Sequence, residues 1–279
     1  MSTATPLPRD QYARVSRSRH CPICDKPDWC LIARDGSHVI CARVSVGGTY
    51  CGEPGWKHDM TNAQPVAIPG HIREKAQFDA SAYAVAFERA ITTDQLANLS
   101  AELGVSVESL RRLRTGWCAE HDAPAFPMWI RGQIVGIRIR THDAKFCIRD
   151  SSNGFFLPRG VDGSETLYVV EGPTDTAAGL DLKLDIIGKP NATACTDELT
   201  RYLLAKQPEM VVFIGENDEP DRFGKRAGID GPRAQCARAV AAGVNAVFIL
   251  PLAGKDLREW KNVHGATRAM IESLARNAG

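Results

Sequence analysis

The residues able to do chemistry fall into two sets, one of acids and one of thiols. The stretch VVFIGENDEP at 211–220 joins an apolar, β-branched run to a cluster of carboxylates. Val211 to Ile214 reads as a buried strand. Gly215, Glu216, Asn217, Asp218 and Glu219 follow at once, with Asp221 close behind. LYVVEGPTD has the same form: its strand ends in Glu171, and Asp175 lies one helical turn further on. A third apolar run, AVFILPLAGKD, is followed by Asp256. In open α/β sheets, ligands bind outside the carboxyl ends of the strands. Read as extended chain, positions 216 and 218 point the same way, so their carboxylates converge on one cation. Clustered oxygen donors suit Mg²⁺ or Mn²⁺, which bind a few carboxylates together with substrate phosphates. Glu171, Glu216 and Asp218 are therefore the candidate metal-holding acids. Glu219 and Asp221 read equally well as a solvated loop.

The thiols lie near the start of the chain. Five of the nine cysteines fall within residues 21–60. CPIC at 21–24 is the Cys-x-x-Cys form of a zinc knuckle. WCLIARDGSHVICARV then reads as a hairpin turning at Asp35-Gly36. With Arg34 and Ser37 flanking that turn, the register runs 33:38, 32:39, 31:40 and 30:41, and sets Cys30 opposite Cys41. Directly opposed Cβ atoms lie about 4.5–5.5 Å apart, close enough for two thiolates to share a zinc at about 2.3 Å each. Cys21, Cys24, Cys30 and Cys41 are the preferred ligands, with His58 and Cys51 competing for the fourth place. A segment this short with few large apolar residues needs such a staple to fold. Cys118, Cys147, Cys195 and Cys236 stand singly in periodic segments and read as core thiols.

The elements that must position these groups follow from periodicity. Residues 1–20 read as a polar, flexible lead-in, 21–60 as a zinc-binding ribbon, and 61–77, with two prolines, as a linker. From Phe78 to Leu113 leucines recur at helical spacing, with Ser106 as an N-cap. From Phe126 the period becomes two, giving short strands joined by turns at Arg131-Gly132 and His142-Asp143. Residues 78–160 thus form an α+β region. In 161–279 strands alternate with helices: LYVVEG, a helix at 174–182, DIIG, a helix at 196–205, MVVFIG, a helix at about 228–242, AVFILP, and a last helix at about 265–276. That rhythm predicts a mostly parallel α/β sheet.

These motifs carry a resemblance. Glu171 in VVEGPTD, the acids of FIGENDEP, and the following AGIDG and LPLAGKD resemble a TOPRIM domain, the metal-binding fold of bacterial-type primases and topoisomerases. CPIC…DWC…DG…VICAR is similar to the zinc ribbon that precedes TOPRIM in primases of bacteria, phages and plasmids. Between them, FPMWIRGQIVGIRIRTHDAKFCIRDSSNGFFLP resembles the region leading into TOPRIM in mobile-element primases. The likeness spans roughly residues 20–262. It implies an α/β chain made of a small N-terminal zinc ribbon, an α+β middle region and a C-terminal TOPRIM domain. It also implies DNA primase activity: short RNA primers laid on single-stranded DNA by metal-dependent nucleotidyl transfer, with structural Zn²⁺ and catalytic Mg²⁺ or Mn²⁺. Three features depart from the family. Glu216 stands where the first acid of an Asp-x-Asp pair is usual, the loop DEPDRFGKRAGIDG is longer than the usual short turn, and the second Cys-x-x-Cys pair is absent.

The formal net charge is only +1, so any nucleic-acid surface must be local. Residues 126–160 hold six basic side chains against two acidic ones. Arg138 and Arg140 alternate on one strand face, with Lys145 nearby, a stripe that fits a phosphate backbone. Arg111 and Arg112 add a second basic spot. Lys225 and Arg226, in the long loop, are candidates for touching a nucleoside triphosphate. A TOPRIM nuclease would use the same acids on existing phosphodiesters, and a catalytically silent single-stranded-DNA-binding adaptor would need only the basic stripe. No G-x-x-x-x-G-K-[ST] occurs, so a replicative helicase is expected as a separate partner. No apolar run approaches the roughly 20 residues that span a bilayer, and the first residues have no apolar core of a secretory signal. The reading places the chain in the cytoplasm, without a membrane partner.

Overall fold

The computed structural model describes residues 11–16, 18–51, 55–60 and 78–278. The linker expected at 61–77 lies outside them. The chain divides into two compact units, 1–76 and 77–279, which are taken in turn.

The first unit is an antiparallel sheet of β1 (Tyr12–Arg14), β2 (Leu31–Ala33), β3 (His38–Cys41), β4 (Thr49–Tyr50) and β5 (Trp56–Asp59), ordered β1-β2-β3-β5-β4. The hairpin between β2 and β3 turns through Arg34–Ser37, with Gly36 at φ +74°. Asp35 Oδ1 accepts from Ser37 N–H at 3.0 Å and from its hydroxyl at 2.7 Å. The register pairs Leu31 with Ile40 and Ile32 with Val39, as the turn chemistry predicts. One correction concerns the lead-in: Tyr12–Arg14 pair with β2 as an edge strand, so part of that segment is ordered.

The second unit begins with three helices, α1 (Ala80–Ala90), α2 (Thr93–Leu103) and α3 (Val107–Arg112). Thr92 and Gln95 close a capping box on α2, Gly104 ends it at φ +64°, and Ser106 caps α3. An antiparallel sheet follows: β6 (Gly116–Cys118), β7 (Ala123–Ile130), β8 (Gln133–Arg140) and β9 (Lys145–Cys147). The β7–β8 turn has Arg131 at φ +50° and Gly132 at φ +77°, the primed geometry that suits the twist of a hairpin. Then comes the α/β part: β10 (Thr166–Glu171), α4 (Gly172–Asp181), β11 (Ile186–Lys189), α5 (Thr196–Lys206), β12 (Met210–Ile214), α6 (Ala227–Ala241), β13 (Ala246–Ile249), α7 (Leu257–His264) and α8 (Arg268–Asn277). Its four strands are all parallel in the order β11-β10-β12-β13.

Strand periodicity sorts the core. Tyr168, Val170, Val212 and Ile214 point to one face, where they meet α4, α7 and α8. Leu167, Val169, Val211 and Phe213 point to the other, against α5 and α6. The first of these cores also takes Leu99 and Leu103 of α2, Leu110 of α3, and Phe126 and Met128 of β7. Helices α2 and α3, the antiparallel sheet and one face of the parallel sheet therefore share a core, while α1 packs through Ala84 on Ala123, Ala125, Ile137 and Ile139 of the antiparallel sheet. The last helix expected at about 265–276 is α8, and a further helix not read from the sequence, α7, precedes it. Asp256 accepts from Glu259 N–H at 2.7 Å and so starts α7, which Gly265 stops in the left-handed region.

Candidate functional sites

Among the described residues, Cys21, Cys24, Cys30 and Cys41 bring their sulfur atoms within 4.8 Å of one another. Cys24 and Cys30 lie 3.7 Å apart and Cys30 and Cys41 3.9 Å. A tetrahedral zinc with Zn–S of about 2.3 Å has sulfur–sulfur edges of about 3.8 Å, so the spacing and the donor set fit a structural zinc. Burial, with hydrogen bonds from Cys21 and Cys24, pushes the Cys30 thiol up to about 12. Left without a cation this thiol stays protonated; a metal supplies the charge that makes it a ligand. The Arg43 and Val44 N–H groups donate to Cys41 Sγ at 3.4 and 3.3 Å, and the Arg43 guanidinium reaches Cys24 and Cys30. His58 does not join the group: its Nε2 lies 2.9 Å from Val44 O. Cys51 Sγ instead donates to Gly55 O at 3.1 Å.

The acids collect at the carboxyl edge of the parallel sheet. Glu171 is the last residue of β10 and pairs in register with Lys189 at the end of β11. Glu216 and Asp218 lie just past β12. They do not lie on the extended chain that the sequence suggested. Asp218 N–H donates to Glu216 O at 2.9 Å and Glu216 N–H to Gly228 O at 2.9 Å, so the segment curls against the start of α6. Both carboxylates still meet at one place, the Lys255 ammonium, which lies 3.5 Å from Glu216 Oε2 and 3.3 Å from Asp218 Oδ1. Asp218 Oδ2 also accepts from Gly228 N–H at 2.9 Å. Two glycines allow this approach. A Cβ on Gly228 would sit 2.7 Å from Asp218 Oδ2 and 2.8 Å from Glu216 Cβ, and one on Gly215 would sit 2.7 Å from Gly228 O.

The field at this edge is strongly negative. Burial, then the Glu171 charge, pushes Glu216 up to about 7. Glu171 is also raised, by burial first and by Asp218, against the lowering effect of Lys189, Lys145 and Lys255. Burial opposes charge on Lys255, but Glu216 and Asp218 outweigh it and raise that ammonium. Asp175 on α4 is fully buried and held well above the usual carboxylate range by burial, Asp256 and Glu216. It accepts from Arg258 N–H at 3.0 Å, which ties α4 to the first turn of α7. Carboxylates sharing a buried edge at this cost need a cation, and Lys255 stands where one is needed.

Sequence reasoning missed the lysines. Lys189 is buried at the end of an apolar strand, donates to Ala192 O at 2.8 Å and pairs with Gln235 Oε1. Burial lowers it to about 8 despite Glu171. The signal for Lys189 and Lys255 was their place, at the same strand ends as the acids. The basic stripe is partly pinned. Arg138 donates to Pro190 O at 3.2 Å, Arg140 pairs with Glu102 at 3.2 Å, and Arg138 Nε is buried without a partner. Lys145 is exposed and faces the Glu171 charge. Arg111 is exposed, and Arg112 donates to Arg159 O at 2.9 Å. Lys225 and Arg226 are exposed in the long loop.

A ribbon with four clustered cysteines, together with an α/β unit of four parallel strands whose two central strands deliver acids at the carboxyl edge, defines the class as a zinc ribbon plus a TOPRIM-type fold. Among solved structures, the chain is similar to an Aquifex aeolicus primase, resolved over its zinc-binding and RNA polymerase domains, at TM-score 0.56 and 13% identity, covering 96% of this chain and 78% of that one. It is also similar to the DnaG catalytic core (TM-score 0.54, 15% identity, 71% of this chain and 78% of that). A DnaG primase catalytic domain bound to single-stranded DNA matches at TM-score 0.53 and 15% identity, over 71% of this chain and 79% of that. No family model and no curated protein matches the sequence. The chain thus has the fold of the DnaG-type primase, zinc-binding segment included.

Proposed function

We propose that this chain is a DNA primase that makes short RNA primers on single-stranded DNA. The observation that carries the reading is the meeting of Glu171, Glu216 and Asp218 at one sheet edge, from two neighbouring parallel strands, in a fold similar to primase cores. Nucleotidyl transfer needs divalent metal to neutralise the triphosphate and align the attacking 3′-oxygen, and Mg²⁺ or Mn²⁺ would supply that when bound. Glu171, Glu216 and Asp218 would hold it, with Lys255 yielding its place between the last two. Lys225 and Arg226 would touch the triphosphate. Arg138, Arg140, Lys145, Arg111 and Arg112 would carry the template's phosphates, and the ribbon would help read it. The work belongs to the cytoplasm, where the ribbon's thiols stay reduced, beside a separate helicase.

The test is to incubate the protein with single-stranded DNA, labelled nucleoside triphosphates and Mg²⁺ or Mn²⁺. Short oligomers that depend on template and metal are expected. Template cleavage without synthesis would replace the primase with a nuclease. Binding with neither reaction, on many templates and with either metal, would leave only an adaptor.

A further inference from the structure

The long loop after β12 is a built turn with an aromatic ring at its tip. Its foot is the acid pair, through the Glu216–Gly228 and Asp218–Gly228 hydrogen bonds at 2.9 Å each. Beyond the foot, Asp221 N–H donates to Lys225 O at 2.8 Å and Gly224 N–H to Asp221 O at 2.9 Å. The Asp221 carboxylate accepts from Phe223 N–H at 2.8 Å and Lys225 N–H at 2.9 Å. Gly224, at φ +76°, makes the reversal possible. The turn so closed presents Phe223 to solvent at 71% exposure. The Arg222 guanidinium lies 4.7 Å over the ring centroid, so a cation lies over the ring.

A ring left in water forgoes about 1.5–3 kcal/mol of burial, and a turn ordered to hold it there implies a partner that covers it. The surroundings select the partner's chemistry. Arg222, Lys225 and Arg226 are all exposed in the same loop, against the exposed Glu219 and an Asp221 whose carboxylate is engaged in the turn. A protein groove wants several apolar anchors in a row, and residues 219–226 hold only this one. A nucleobase on a phosphate strand offers what fits: a flat π face for the ring and negative charge for the cations. Resting on the primase reading above, we infer that Arg222 and Phe223 form a stacking platform for an unpaired base of single-stranded nucleic acid, at the mouth of the acid site. The loop's foot on Glu216 and Asp218 sets the base beside the place where phosphate chemistry would occur.

The experiment measures binding of the full chain to a fluorescein-labelled oligo(dT) across a salt series. Phe223→Ala should weaken binding roughly 5- to 150-fold, the range for loss of one stacked base. The slope of log affinity against log salt should stay at the wild-type value, because the ring releases no counterions. Phe223→Trp should restore affinity, and its added indole fluorescence should be quenched by the strand. The thermal midpoint should not move, since the ring is exposed. Wild-type affinity in Phe223→Ala would overturn the platform, as would a Phe223→Trp variant that fails to restore binding. Unchanged strand binding with a raised KM for a nucleoside triphosphate would also overturn it, by assigning the ring to a free nucleotide. The two readings fail separately. Loss of strand affinity in Phe223→Ala alongside a wild type that makes no oligomer keeps the platform and removes the primase. Oligomers from the wild type with Phe223→Ala unaffected do the reverse.

Discussion

At the residue scale, Glu216 is the group whose state reports most on the site. Its carboxyl is raised from 4.5 to about 7, by burial first and Glu171 second. The folded form therefore holds a proton that the unfolded form has released between those values. Stability from this group is full below pH 4.5 and is lost as pH rises through 7. Without divalent metal, the wild type should lose stability relative to Glu216→Gln between pH 5 and 8, by on the order of 2 kcal/mol. Thermal melts of both proteins across that range check it. Mn²⁺ at pH 8 should raise the wild-type midpoint and leave Glu216→Gln nearly unmoved. Parallel pH curves for the two proteins would mean that Glu216 is solvated and not held in the acid cluster. The side chains that did not declare themselves in the sequence are those whose role depends on neighbours far along the chain. Lys255 looks like an ordinary loop lysine until its ammonium is found between two carboxylates. Arg138 looks free until Pro190 O, just past the end of β11, meets it.

At the scale of elements, two short pieces of chain hold the sites. In the ribbon, the Asp35-Gly36 turn sets the β2–β3 register, and the register places Cys30 beside Cys41. That chain of cause was legible because turn residues and strand period are local. β1 was not legible, since three polar-flanked residues form a strand only because β2 offers an edge. Chelation should strip the first unit of its structure, because four thiols at metal-sharing distance have no other staple. Limited proteolysis with and without chelator checks this: residues 11–60 should become cleavable and 78–278 should stay resistant. Cys24→Ser should lose the metal by elemental analysis and Cys51→Ser should keep it. In the α/β unit, the corresponding piece is the close contact of the β12 end with the start of α6. Gly228→Ala forces a methyl to within 2.7 Å of Asp218 Oδ2, so it should cost about 1–3 kcal/mol of stability and misplace both acids. Primer synthesis should fall well beyond what the stability loss explains. A Gly228→Ala protein with full activity would show that the acids need not be held this way. The tight turn at 216–218 escaped the sequence reading because a strand end and a γ-type turn have the same residue pattern until the partner, Gly228, is known.

At the scale of the whole molecule, strand–helix alternation after residue 165 made the parallel sheet readable, and both its faces are covered as that alternation requires. What alternation cannot show is which distant segments share a core. Phe126, Met128 and Leu103 pack with Tyr168 and Val212, so residues 78–160 and the sheet that follows behave as one folded body. α7 was hidden for a related reason: its eight residues contain only three large apolar ones, Leu257, Trp260 and Val263, too few to set a period. Its start is written instead in Asp256, an acid that reads as part of the site and serves as a cap.

If the carboxyl edge of this sheet carries out metal-dependent nucleotide addition, charge removal there should stop synthesis and spare strand binding. Glu171→Gln and Asp218→Asn each remove a charge and keep the shape of the side chain. Template-dependent primer synthesis and binding to single-stranded DNA should be measured on both variants beside the wild type, with Mg²⁺ and with Mn²⁺. The wild type should synthesise primers, each variant should lose about a thousandfold, on the order of the 4 kcal/mol attributed to strong electrostatic stabilisation of a transition state, and all three should retain strand binding. Synthesis that persists in both variants at wild-type rates would contradict that role for the edge.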